Sequence, residues 1–262
     1  MNQAPYGWHA RIGLILPSDN VLMEPELNEL GLPGVSFHVL RLTATDPEEM
    51  RRQAIELAGS ITEMGLDVVV YACAETSFNG GRTSRASLSA LIAEECGLPV
   101  ITATEALLRA CESMELVQVA VVSPYSVRSG TDLEDVLAEN GLTVVAATHR
   151  DFSLETDDPR VWFLTNRQAP AEVHAMARQL AHGDADAVLI VSTNLATLRI
   201  LSPLEEELGK PVLSSNQAIV WWCLRRLGLS IDLSALGRLA DADIPEAPGS
   251  RVARLTTTGS TE

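Results

Sequence analysis

Cys73 is the residue in this chain whose type and place best suit chemistry. It follows the apolar, β-branched run Asp67–Ala72 and precedes Ala74-Glu75-Thr76-Ser77-Phe78-Asn79-Gly80-Gly81. A thiol at the C-terminal end of a buried parallel strand sits where the loops of open α/β sheets build their sites. Amides of the following polar turn are expected to lower its pKa and supply a thiolate nucleophile. The competing role is that of most free cysteines, a small buried hydrophobe. Cys96, Cys111 and Cys223 lie in helical patterns among apolar neighbours, so they are assigned to the core. There is no CxxC pair and no clustering of the five histidines. Neither a disulfide framework nor a metal site is expected, and a reducing cytoplasm is the expected compartment.

Ser192, in Ser192-Thr193-Asn194-Leu195, ends a second apolar run in the same way. It reads either as a turn residue capping a helix or as a hydroxyl facing Cys73 across a cleft. Pro17-Ser18-Asp19-Asn20 follows the first strand. Ser18, Asp19 and Asn20 are good helix N-caps; equally, Asn20 with the amides around Pro17 and Ser18 can hold a carboxylate at a helix N-terminus. At the matching place later in the chain stands Pro124-Tyr125-Ser126, and the Tyr125 hydroxyl can donate into the same cleft.

These residues need strands to carry them. Short runs bounded by turn residues read as buried parallel strands at 11–16, 35–41, 67–72, 100–102, 118–123, 143–148, 187–191 and 212–214. Helical patterns fill the gaps at 47–64, 84–95, 103–114, 129–139, 169–182, 202–208 and 218–227, the first with Asp46 as N-cap. The chain also repeats itself. Residues 11–17 match 118–124, 67–73 match 186–192, and Gly97-Leu-Pro-Val matches Gly209-Lys-Pro-Val; Cys111 then falls opposite Cys223. The expected fold is α/β: two similar doubly wound parallel-sheet lobes related by pseudo-twofold duplication, with the active site in the cleft between them. The first lobe is expected over 1–116, completed by about 213–240, and the second over 117–212. From 241 to 262 Pro, Gly, Ser, Thr and charge dominate, and a disordered tail is expected.

The formal net charge is −16. Nucleic acid and anionic membranes call for basic patches, so neither is an expected partner. Residues 1–10 hold no apolar run, and no stretch approaches the ~20 apolar residues of a membrane span, so no signal peptide or membrane helix is expected.

Four stretches together resemble the aspartate/glutamate racemase superfamily, and within it the maleate cis-trans isomerase and arylmalonate decarboxylase branch. They are Gly13-Leu-Ile-Leu-Pro-Ser-Asp-Asn-Val-Leu-Met-Glu24, Val70-Tyr-Ala-Cys73, Val121-Val-Ser-Pro-Tyr125, and Ser192-Thr-Asn-Leu195 with Gly209-Lys-Pro-Val212. The resemblance implies two facing lobes, no cofactor, a small carboxylate or dicarboxylate substrate, and a homo-oligomer, dimer or tetramer. It places Cys73 at the family's first catalytic cysteine and Ser192 at the second. Tyr125 and Asn20 fall at carboxylate contacts, with Pro17, Ser18, Ala74, Glu75, Thr193 and Asn194 around them. The chain departs from the pattern in having serine at the second cysteine position, and Ala74-Glu75 where decarboxylases place two hydroxyl residues. Residues 149–160 also lack the asparagine usual in isomerases. One thiolate suffices to add to an activated double bond, so an isomerase of the maleate type is expected first. An arylmalonate-type decarboxylase or other one-sided proton-transfer enzyme comes second, and a non-catalytic carboxylate-binding protein third.

Overall fold

The computed structural model describes residues 5–78, 82–158, 160–180 and 183–244. Two four-stranded parallel sheets form the frame. The first has the order β2-β1-β3-β4, built from β1 (Ala10–Pro17), β2 (Val35–Leu42), β3 (Val68–Tyr71) and β4 (Val100–Thr102). The second repeats it as β6-β5-β7-β8, with β5 (Gln118–Ser123), β6 (Thr143–His149), β7 (Ala187–Ile190) and β8 (Val212–Ser214). All pairings are parallel, in keeping with the buried, β-branched runs of the central strands. β3 and β7 are buried at every position, whereas the edge strand β6 alternates exposed and half-buried residues.

The repeat has a physical content at each landmark. Asp67 accepts the Arg11 amide at the foot of β1 (2.8 Å), and Asp186 accepts the Val117 and Gln118 amides at the foot of β5 (3.0 and 2.7 Å). Gly97 and Gly209 end the helices before β4 and β8 in the left-handed conformation (φ 70° and 67°), which an L side chain rarely adopts. Thr102 with Glu105 and Ser214 with Gln217 then form capping boxes on α5 (Ala103–Ser113) and α9 (Ser215–Arg226). These two helices pack on each other and carry the buried Cys111 and Cys223.

Helix α2 (Pro47–Ile61) is capped as expected, Asp46 Oδ1 accepting the Glu49 amide at 3.0 Å. Three places differ from expectation. The stretch after Cys73 reads as a turn in the sequence, but Ala74–Phe78 is a short helix, α3. The Cys73 carbonyl accepts the Ser77 amide, Ser77 Oγ bonds back to the Ala74 carbonyl, and no Gly or Pro falls within these five residues to break the turn. The helix expected from 202 starts at Leu198 (α8, Leu198–Leu208), because Glu26 on α1 (Met23–Glu29) accepts the amides of Thr197 and Leu198 and so supplies the cap from the other lobe. Finally, Ala242, inside the expected tail, is held through its carbonyl by Trp221 and Arg225. The rest of that tail, beyond 244, lies outside the described residues. In the segment expected to complete the first lobe, β8 pairs with β7 of the second sheet while α9 packs on α5 of the first. Among the described residues no helix is long and apolar enough to cross a membrane.

Candidate active site

The C-terminal ends of β1, β3, β5 and β7 open onto one cleft of about 680 Å³. Pro17, Ser18, Asn20, Cys73, Ala74, Glu75, Tyr125, Ser192, Thr193 and Asn194 all line it. Symmetry sets their places: Cys73 comes two residues after β3, Ser192 two after β7, and Tyr125 two after β5. Of the four cysteines only Cys73 is among the residues of this cleft.

Cys73 is buried, and its thiol is pushed up to about 11. Burial is the chief cause, and the nearby Glu75 and Asp19 carboxyls act in the same direction. Hydrogen bonds from the Thr76 hydroxyl and amide oppose it. The expectation of a depressed pKa is therefore corrected. The amide of the following turn does reach the sulfur, but one amide and one hydroxyl do not offset loss of solvent beside two acids. Thr76 Oγ1 is itself fixed by Tyr71 Oη at 2.6 Å, at the end of the strand that carries the thiol.

Across the cleft, the Ser192 hydroxyl is hydrogen-bonded to the Tyr125 phenol and accepts the Asn194 amide at 3.1 Å. Burial raises the Tyr125 pKa far above its usual value, with Glu75 and Cys73 adding to the rise, so Tyr125 is a neutral donor. Its ring stands edge-on to Phe78 of α3, with centroids 5.3 Å apart. Ser123 Oγ accepts the Tyr125 amide and is tied to His149, which in turn bonds Glu134. The phenol is thus placed from both its backbone and its ring.

Asn20 and Thr193 form the floor. The Asn20 amide donates to the Thr193 carbonyl (3.1 Å) and hydroxyl (3.2 Å), while its Oδ1 accepts the Leu22 and Met23 amides at the start of α1. Thr193 Oγ1 donates to the Ala72 carbonyl beside Cys73 at 3.0 Å. The side chain expected to grip substrate thus also ties the lobes together.

Glu75 lines the cleft, with Ser129 of α6 (Val127–Glu139) donating to its Oε1 at 2.7 Å. Burial raises its pKa, and Asp19 and Asp132 add to the rise. Asp19, on the same turn as Asn20, is also raised by burial, against its own backbone bond and Arg41. The Arg41 guanidinium is engaged by the Asn20 and Pro17 carbonyls and by Glu24 (2.6 Å).

Several lining residues were not singled out by the sequence. Ala44, Pro47 and Met50 make an apolar wall from the first lobe. Phe152, Val161 and Phe163 make another from two 3-10 turns, Phe152–Leu154 and Val161–Arg167. Asn166, on the second of these turns, donates to the Asp19 carbonyl at 2.7 Å. It lies just past residues 149–160, and irregular turns leave no periodic signal. Asp19 itself was visible in the turn after β1 but read only as a cap.

Comparison with known proteins agrees with this geometry. The model of the arylmalonate decarboxylase family matches residues 12–240. Maleate isomerase of Geobacillus stearothermophilus is 26% identical over 250 residues, covering 88% of this chain and 97% of that protein. Maleate isomerase of Nocardia farcinica is 28% identical over 248 residues, covering 89% and 96%. The structure of a cysteine-to-serine variant of Nocardia farcinica maleate cis-trans isomerase with a covalently bound succinylcysteine intermediate superposes with a TM-score of 0.76 at 26% identity, covering 88% of this chain and 98% of that one. With two duplicated lobes closing on a single thiol, and a family match across nearly the whole described chain, this protein belongs to the arylmalonate decarboxylase family.

Proposed function

We propose that this chain is a cofactor-independent cis-trans isomerase of a small unsaturated dicarboxylate of the maleate type, with Cys73 as nucleophile. The observation that carries the reading is the placement of Cys73, alone among the cysteines, in a cleft opposite the Ser192–Tyr125 hydroxyl pair. The succinylcysteine in the Nocardia relative supports it. A resting thiol that is neutral fits an addition in which proton and sulfur move together. The Sγ–C bond forms as the double bond's electron pair shifts toward the adjacent carboxyl group. The Ser192–Tyr125 pair has two hydroxyl protons; one lies in their mutual bond and the other is donated to that charge. The thiol proton ends on the neighbouring carbon, giving a thioether adduct. Rotation about the former double bond and reversal of the same steps release the trans acid and restore the thiol.

Asn20, Thr193, Asn194 and the turn amides near Pro17, Ser18 and Ala74 would orient the substrate; the homo-oligomer and the cytoplasmic setting expected from the sequence belong to the same reading. The family match favours a second reading, decarboxylation of an arylmalonate with Cys73 protonating one face. The test is NMR of wild type with maleate, looking for fumarate, alongside phenylmalonate, looking for loss of carbon dioxide. Fumarate formation that Cys73→Ser abolishes supports the isomerase. Decarboxylation without isomerisation overturns it.

A further inference from the structure

The cleft that would receive a dicarboxylate is acidic. Asp19, Glu75 and Asp151 line it, and no Lys, Arg or His among the described residues does. Glu75 is the central one. It stands two positions after Cys73 on the first turn of α3, so carboxyl and thiol share one end of β3. Ser129 donates to its Oε1, and Ser126 donates in turn to Ser129 (3.3 Å), which holds the carboxyl against the start of α6 rather than letting it swing out. The titratable groups that face it are Asp19 and Cys73 on its own lobe, and Tyr125 and Asp132 on the other. None is a cation, and the net charge of −16 acts in the same sense.

A substrate carboxylate placed beside ionised Glu75, itself half-buried, would meet like charge. An uncharged carbonyl group bearing an N–H or O–H would instead meet an acceptor. Resting on the isomerase reading, we propose that Glu75 makes this enzyme selective for a monoanionic cis-enedioic acid derivative: one carboxylate at one end, and at the other an uncharged carbonyl group that donates a hydrogen bond to Glu75. Two molecules offer that chemistry, the half-amide and the singly protonated diacid. The selection also suits the reaction. When Sγ bonds to the carbon β to the neutral carbonyl, the S–H bond breaks, the displaced electron pair delocalises onto that carbonyl oxygen more readily than onto a carboxylate that is already negative, and the thiol proton ends on the carbon α to that carbonyl. Reversal takes a proton from that carbon back to sulfur as the C–S bond breaks and the double bond re-forms.

The test compares kcat/KM of wild type and Glu75→Gln on maleamate and maleate, at about pH 6 and about pH 8. The substituted amide keeps an acceptor for Ser129 but removes the charge. Wild type at the higher pH should prefer maleamate by about tenfold or more, and Glu75→Gln should close the gap by raising the maleate value. If the protonated diacid is the source, maleate turnover should instead fall about tenfold per pH unit while maleamate is ignored, and the variant should flatten that fall. Maleate turned over as well as maleamate and independently of pH, or a ratio unchanged in the variant, overturns the proposal while leaving the isomerase reading intact. If neither acid is isomerised the isomerase reading fails. Calorimetry with the saturated analogues succinamate and succinate then still decides the selectivity: tighter succinamate binding that Glu75→Gln abolishes supports it, and equal affinities overturn it.

Discussion

Asn20 of the first lobe donates two hydrogen bonds to Thr193 of the second, and Thr193 Oγ1 returns one to the Ala72 carbonyl next to Cys73. The thiol and the facing Ser192 turn are thereby set by one buried seam. Asn20→Ala should remove both bonds and the acceptor for the Leu22 and Met23 amides, leaving Thr193 partly unpaired. A loss of roughly 2–3 kcal/mol is expected, more than the ~1 kcal/mol of a simple cap. A urea melt measures it, and ligand affinity should fall in the same variant. Affinity lost with stability unchanged would mean that Asn20 grips substrate and the seam is held by other groups.

The thiol's environment makes a second expectation. Because burial and two acids push Cys73 up to about 11, iodoacetamide should label it slowly near neutrality, with the rate climbing through the alkaline range. It should still react before Cys111 and Cys223, whose thiols burial also raises and which do not line the cleft. Mass-spectrometric mapping of partial labelling against pH reads both. A labelling rate already at its plateau near pH 7 would show that the turn amides win after all.

The central strands β1, β3, β5 and β7 were legible because parallel strands buried on two faces must be short, apolar and β-branched, and the edge strands because turn residues bound their runs. The lobe pairing was legible because Asp, Gly-x-Pro-Val and Pro landmarks each answer a local need of the backbone. What the sequence hid is the seam. Asn20 and Glu26 look like ordinary caps and surface acids of an amphipathic helix. Nothing in their spacing says that Glu26 would be buried under the amides of Thr197 and Leu198 and the side chain of Asn216. The Val161–Arg167 turn, which brings Phe163 to the cleft and Asn166 to the Asp19 carbonyl, was equally silent, since irregular backbone has no period to read. The sign of the Cys73 shift was missed for a related reason. The turn amide was foreseeable, but the depth of burial and the approach of Asp19 depend on tertiary packing.

Burial raises Asp19, Glu26 and Glu75 above their ordinary values. In the window from those ordinary values, about 4 to 5, up to the raised ones, the folded protein binds more protons than the unfolded chain, so stability falls as pH rises. Asp186, whose carboxylate accepts two amides, is lowered, and its contribution is lost only as pH falls below the ordinary range. The melting temperature should therefore rise as pH is lowered from the raised values toward the ordinary ones and fall again in stronger acid. Differential scanning calorimetry across that range checks it. Glu26→Gln should flatten the slope. A melting temperature that climbs steadily toward alkaline pH would mean that these acids are not desolvated in the folded protein.

Ser192 is where the chain departs most informatively from the pattern it resembles. Its hydroxyl meets Tyr125 and the Asn194 amide, and neither a histidine nor a lysine lines the cleft among the described residues, so no imidazole or amine there activates it as a base. The wild type should accordingly perform only chemistry that the Cys73 thiol starts. Ser192→Ala removes one donor to the developing negative charge and should slow isomerisation by about tenfold, roughly 1.4 kcal/mol. Cys73→Ser should abolish it. Ser192→Cys places an ionisable group on the second face, still under the Asn194 amide, and should add proton exchange at the α-carbon of a 2-substituted acid. Deuterium wash-in followed by NMR beside substrate turnover distinguishes these outcomes. Enzymatic exchange by the wild type, or full turnover by Cys73→Ser, would place the working groups elsewhere in the cleft and end the one-thiol mechanism.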